Sequence, residues 1–182
     1  MLLILLLLTP LATILAQDPI AIDCSAPVDL GTSKSCKAKP SLKYHYDPKT
    51  KTCLAFLYTG CGGNANRFDH EGACYQWCAG MDNFSCPLGS SSVASKEMCY
   101  EDSHCGTNNY CLNGHPINIC CEKKWREKSD KEYNPKCPAG KKAFKPTDGG
   151  IASLRLGKSC KSNHCPEKAT CVQGEFFAAC CV

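Results

Sequence analysis

The chain carries no strong charge of either sign. Its 21 Lys and Arg face 17 Asp and Glu, for a net +4. So small an excess excludes a nucleic-acid binder built on a basic face, and no motif for that partner is present. Beyond residue 16 there is no apolar run near the roughly twenty residues that a bilayer-spanning helix needs, so no membrane partner is expected. Paired carboxylates, a phosphate loop and a Ser–His arrangement in a catalytic context are also missing. No enzymatic activity and no cofactor are therefore expected.

Cysteine is abundant instead. Eighteen are present, an even number, so no thiol need be left over. Such density marks a disulfide scaffold, and disulfides need an oxidising compartment. The first sixteen residues, MLLILLLLTPLATILA, contain no charged side chain, are rich in leucine, and break at Pro10. With Ala16 before the polar Gln17-Asp18-Pro19, residues 1–16 read as a cleaved signal peptide of a secreted, extracellular protein.

The cysteines fall into three sets of six: Cys24, Cys36, Cys53, Cys61, Cys74 and Cys78; Cys86, Cys99, Cys105, Cys111, Cys120 and Cys121; Cys137, Cys160, Cys165, Cys171, Cys180 and Cys181. Each set occupies only roughly 35–55 residues, too few for a large apolar core, so covalent staples must supply much of the stability. The fold class expected is small and disulfide-rich. An α+β module at residues 22–80 is followed by irregular six-cysteine repeats at 84–122 and 137–182, joined by a charged, solvated linker at 123–136.

In the first module Leu42–Tyr46 alternates apolar with polar, and Thr52–Tyr58 is rich in aliphatic and aromatic residues. Between them Asp47-Pro48-Lys49-Thr50-Lys51 has turn chemistry, so the stretch predicts a β-hairpin. A short helix is predicted over about 70–77, with Asp69 as N-cap and Glu71 in its first turn. Cys74 and Cys78 then share one helical face, and Cys53 on the hairpin is a natural partner for one of them.

These residues resemble the Kunitz-type (pancreatic trypsin inhibitor-like) family. The resemblance is carried by the spacing of the last four cysteines, by Tyr44-His45-Tyr46, Phe56, Tyr58, Gly60-Cys61 and Asn66-Arg67-Phe68, and by the terminal helix. It implies the pairs Cys24–Cys78, Cys36–Cys61 and Cys53–Cys74. It also implies inhibition of a serine protease by a rigid substrate-like loop. By that likeness Lys37 enters the specificity pocket of a trypsin-like protease and Ala38 lies beyond the reactive bond. Ser35, Cys36, Lys39, Thr59 and Gly60 flank it. Eleven residues separate Cys24 from Cys36 where the family usually has eight, and sixteen separate Cys36 from Cys53 where fifteen is usual. The three added before the loop lie within Asp29–Ser35, and Thr59 stands where a glycine is common. The alternative function is a non-inhibitory matrix, cuticle or channel-binding module with a degenerate loop.

The two later sets repeat one pattern. Each opens Cys-Pro-x-Gly (Cys86, Cys137), carries His-Cys (His104-Cys105, His164-Cys165), and closes in a Cys-Cys pair. The pattern resembles the lustrin-type cysteine-rich repeat. Adjacent cysteines are expected to take different partners, and six cysteines leave fifteen pairings open. No metal is expected at the His-Cys pairs, because oxidised cysteine cannot ligate as thiolate. Asn83-Phe84-Ser85 is a possible glycosylation sequon.

Overall fold

A computed structural model describes residues 22–80, 84–93, 98–114, 117–147 and 154–182. Residues 1–16, read as a signal peptide, and Asn83 of the sequon lie outside the described residues. Strands β1 (Ser41–Asp47) and β2 (Thr52–Tyr58) form the antiparallel hairpin, with Tyr46 opposite Cys53. Helix α1 spans Glu71–Cys74 and widens into a π-type turn over Tyr75–Ala79. Its N-cap position is held by His70, with no side-chain cap. Asp69, the expected cap, instead takes the Lys43 ammonium, since a neighbouring cation on β1 competes better for a carboxylate than a backbone N–H.

One face of the hairpin packs Tyr46 and Cys53 against Phe68 and Cys74. Buried Asn66 ties this unit together. Its Oδ1 accepts the Tyr46 N–H, and its Nδ2 donates to the carbonyls of Tyr46 and Ala26, all at 2.8 Å. The structure pairs Cys24–Cys78, Cys36–Cys61 and Cys53–Cys74, so the terminal helix is stapled to both the N-terminal segment and β2.

The two later units have the same internal plan. Each bonds its first cysteine to its sixth, its second to its fourth and its third to its fifth: Cys86–Cys121, Cys99–Cys111 and Cys105–Cys120, then Cys137–Cys181, Cys160–Cys171 and Cys165–Cys180. Each closes in a hairpin, β3 (Asn109–Leu112) with β4 (Ile119–Glu122), and β6 (Thr170–Gln173) with β7 (Ala178–Cys181). Neighbouring cysteines on a strand point to opposite faces, which is why each Cys-Cys pair reaches two different partners.

The segment read as a solvated linker contains helix α2, Lys123–Tyr133. Trp125, Glu132 and Tyr133 recur at helical spacing on one side. Trp125 meets Phe176 and Tyr133 meets Phe177, each edge-to-face at 6.2 Å. The buried Glu132 carboxylate accepts the N–H groups of Glu175 and Phe177 at 2.8 Å, holding the β6–β7 turn. Arg126 lies over the Tyr110 ring of the middle unit. The helix therefore braces both repeats.

The last unit docks on the hairpin. Short strand β5 (Leu156–Gly157) runs parallel to β2 at Ala55 and antiparallel to β7, giving one sheet in the order β1-β2-β5-β7-β6. Leu54, Leu154, Leu156, Phe177 and Ala179 make a shared core. Burying each large side chain there contributes about 1.5–3 kcal/mol. On this face Lys158 Nζ donates to Asp47 Oδ2 at 2.8 Å, and Thr50 donates to the same oxygen at 2.6 Å. Burial works to raise the Asp47 carboxyl, but the bonds from Lys158 and Thr50 outweigh it and hold the group below the usual carboxylate range. The middle unit touches the hairpin too. Gly89 has φ 69°, and a Cβ there would sit 2.2 Å from the Lys49 carbonyl oxygen.

Two histidines of these units are buried. His45, on β1, packs edge-to-face on Phe56. His164 lies against Gly157 and contacts the Ala178 carbonyl at 3.0 Å. Desolvation lowers both imidazoles from their ordinary value near 6.5. The charged neighbours are Asp47 and Lys158 for His45, and Arg155 for His164. The unfolded chain takes up protons below about pH 6.5 while the folded chain resists them, so stability is full above that pH and falls below it. Each histidine removes up to about 1.4 kcal/mol per pH unit. The urea midpoint should drop between pH 7 and pH 5, and the His45→Phe, His164→Phe double variant should flatten that drop. An unchanged slope would refute the assignment.

Candidate functional site

The exposed loop at the open end of the hairpin is built from its anchors outward. Behind it, Tyr58 donates its hydroxyl to the Gly62 carbonyl at 2.7 Å. Arg67 donates to the same carbonyl at 2.9 Å and stacks over the Tyr58 ring, 4.0 Å from its centroid. Thr59 donates both its N–H and its hydroxyl to the Leu30 carbonyl, each at 2.8 Å. The threonine that replaces the common glycine thus holds the lengthened segment down with its extra hydroxyl.

That lengthened segment, Asp29–Ser35, is folded into turns. Asp29 Oδ1 accepts the Gly31 N–H at 2.9 Å, and Thr32 Oγ1 accepts the Lys34 N–H at 3.1 Å. Thr32 pairs antiparallel with Cys61, its N–H donating to the Cys61 carbonyl at 2.8 Å. The Cys36 N–H then donates to the Ser33 carbonyl at 3.2 Å, and Ser35 between them has φ 58°.

Beyond this turn Lys37, Ala38, Lys39 and Pro40 stand exposed. Among the described residues, no hydrogen bond or ion pair engages the Lys37 ammonium. Two covalent or steric contacts hold the chain on either side of it. The Cys36–Cys61 bridge, with Cα atoms 5.8 Å apart, anchors the residue before Lys37. Gly60, at φ 119°, passes so close behind Ala38 that a Cβ on it would lie 2.6 Å from the Ala38 carbonyl oxygen and 3.0 Å from Cys36 Sγ. Only glycine fits both that dihedral and that gap.

The structure brings together Ser35, Cys36, Lys37, Ala38, Lys39, Thr59 and Gly60 as one rim. Sequence reasoning missed Asp29, Thr32 and Arg67 as supports. Asp29 and Thr32 carry a readable signal, since Asp and Thr cap backbone two residues ahead. The docked third unit lies along the middle of β2 and at Asp47, so it leaves this rim uncovered.

His104 and His164 occupy matching positions in the two repeats but differ in fate. His104 is exposed and faces Glu101 at 3.6 Å, whereas His164 is buried. Cys99, Cys105 and Cys111, and likewise His164, Cys165 and Cys180, converge closely enough to suggest metal ligation. All five cysteines are in disulfides, and such sulfurs offer no thiolate.

Comparison with known proteins places this rim in context. Residues 23–79 match the model of the Kunitz/Bovine pancreatic trypsin inhibitor domain. A BPTI/Kunitz inhibitor domain-containing protein of Caenorhabditis elegans is 36% identical over 158 residues, covering 87% of this chain and 88% of the relative. Major allergen Ani s 1 of Anisakis simplex is 36% identical over 178 residues, covering 93% of this chain and 92% of the relative. Kunitz-type serine protease inhibitor 2 of Naja nivea is 42% identical over 57 residues, 31% of this chain and 93% of its own length. The first two alignments run well past residue 79, so the similarity extends into the cysteine-rich repeats.

Proposed function

The chain belongs to the BPTI/Kunitz inhibitor-domain family, and from that premise we propose that it is a secreted inhibitor, not an enzyme, of a trypsin-like serine endopeptidase. Residues 22–80 form the inhibitory unit, and 84–122 and 137–182 are two lustrin-type repeats that brace it. Nine disulfides, and no free cysteine among the described residues, support an extracellular setting.

One observation carries the reading: Lys37, exposed and without a partner among the described residues, directly follows Cys36 on a segment clamped by the Cys36–Cys61 bridge and Gly60. Lys37 enters the primary pocket and pairs with a carboxylate at its base, without which burying an ammonium is very costly. Small Ala38 allows close approach on the leaving side. A clamped loop has little conformational entropy left to lose, so more of the contact energy appears as affinity. If the Lys37–Ala38 bond is cut, the bridge and the Gly60 contact keep the new ends adjacent, and religation competes with release.

A non-inhibitory matrix, cuticle or channel-binding role is the second reading, favoured by the turn that lengthens the approach to Lys37. Titration of trypsin with the purified full chain separates them. An inhibitor should block trypsin at micromolar concentration or below and keep Lys37–Ala38 largely uncut after prolonged exposure. Absence of inhibition at micromolar protein would exclude trypsin as a target.

A further inference from the structure

A segment bound like a substrate lies extended along the protease and pairs with it through main-chain hydrogen bonds. Upstream of Cys36 this chain cannot do so. Ser35 is left-handed at φ 58°, and the Cys36 N–H is already spent on the Ser33 carbonyl at 3.2 Å. Thr32, only four positions before Cys36, has turned away to pair with Cys61. Residues Thr32–Ser35 therefore form a knuckle just before Lys37, and the segment free to pair like a substrate begins only at Cys36.

Lys34 stands on that knuckle. It is exposed, and among the described residues its ammonium has neither an ion pair nor a hydrogen-bond acceptor. The knuckle does not move freely: the Lys34 N–H is bonded to Thr32 Oγ1 at 3.1 Å, and Thr32 is bonded to Cys61 across the disulfide. With Lys37 and Lys39, it makes three exposed lysines within six residues. The nearby carboxylate on the same segment, Asp29, is turned onto the Gly31 N–H. An unpaired cation on an anchored backbone at the edge of an interface acts mainly on partner choice and association rate.

We infer that Lys34 is a second specificity determinant. The knuckle replaces main-chain pairing on the side N-terminal to the reactive bond with a positive charge carried on an anchored backbone turn, which selects a trypsin-like protease whose cleft is acidic on that side. This rests on the inhibitor reading above. The test measures inhibition by the full chain, Lys34→Ala and Lys34→Glu against trypsin-like proteases that differ in the charge of that rim, at low and high salt. Against acid-rimmed members, Lys34→Ala should weaken inhibition about fivefold. Lys34→Glu should weaken it at least about tenfold, and added salt should erase the difference. Neutral-rimmed members should not distinguish the three proteins. Equal inhibition by all three against every member, with Lys37→Glu inactive, would overturn the inference and leave the inhibitor reading intact. A parent chain that inhibits no member would overturn both.

Discussion

Lys37→Glu should abolish inhibition of trypsin, raising the inhibition constant by at least about a thousandfold, or about 4 kcal/mol. The size follows from what the pocket must accept. A lysine brought to a buried carboxylate is compensated by that charge. A glutamate at the same place meets a like charge with no water to screen it, and such juxtapositions cost several kcal/mol. Central anchors of this kind dominate interface energetics. Lys37 is exposed and, among the described residues, unengaged, so the exchange should leave the fold intact. Lys37→Arg is the matching control. Its guanidinium keeps the charge and can bond the carboxylate, so inhibition should survive. If Lys37→Glu inhibited as the parent does, the contact surface would have to lie elsewhere on the molecule.

Opening the Cys36–Cys61 bridge by the double change Cys36→Ser and Cys61→Ser should turn the inhibitor into a substrate. The bridge closes a separation of 25 residues, and such a bridge contributes about 2–4 kcal/mol to stability. Its larger effect is local. It anchors Cys36 to the strand end that also carries Gly60 and pairs with Thr32. Without it the segment before Lys37 keeps only hydrogen bonds, from the Cys36 N–H to the Ser33 carbonyl, from the Thr32 N–H to the Cys61 carbonyl and from Thr59 to the Leu30 carbonyl among them. Ordering it on the protease then costs entropy, and a cut end can diffuse away before religation. Mass spectrometry of the variant with trypsin should show the Lys37–Ala38 bond cleaved within minutes while the parent stays whole for hours. Cys24–Cys78 and Cys53–Cys74 continue to hold the unit's core, so near-native circular dichroism is expected alongside the cleavage. Persistent inhibition by the double variant would show that Gly60 and the hydrogen bonds suffice.

Much of the hairpin unit was legible in the chain because its signals are local. Period-two alternation over Leu42–Tyr46, turn chemistry at Asp47–Lys51 and the four-residue offset of Cys74 and Cys78 each specify geometry without help from distant residues. The Asp69 cap failed because β1 brings Lys43 to that carboxylate, a contact between residues 26 apart. Burial of His45 and Asp47 was hidden for the same reason. They are the polar members of an alternating strand, yet the third unit covers their face. One cue did exist. β2 is apolar almost throughout, and a strand covered on both faces has that composition. The helix over Lys123–Tyr133 escaped because its composition is that of a solvated segment, while its fold depends on Trp125, Glu132 and Tyr133 finding Phe176, Phe177 and the β6–β7 turn.

Cysteine count and spacing by themselves determined that this protein is stapled, that its units number three, and that two of them repeat. The position of Lys37 directly after a cysteine is likewise a fact of sequence. The choice among fifteen pairings in each repeat, the docking of β5 on β2, and the turn that carries Lys34 were decided only in three dimensions. The reason is that a spacing constrains distance along the chain. Which sulfur meets which, and which face is covered, depends on contacts between residues far apart in sequence, whose free energy exists only once the units have packed.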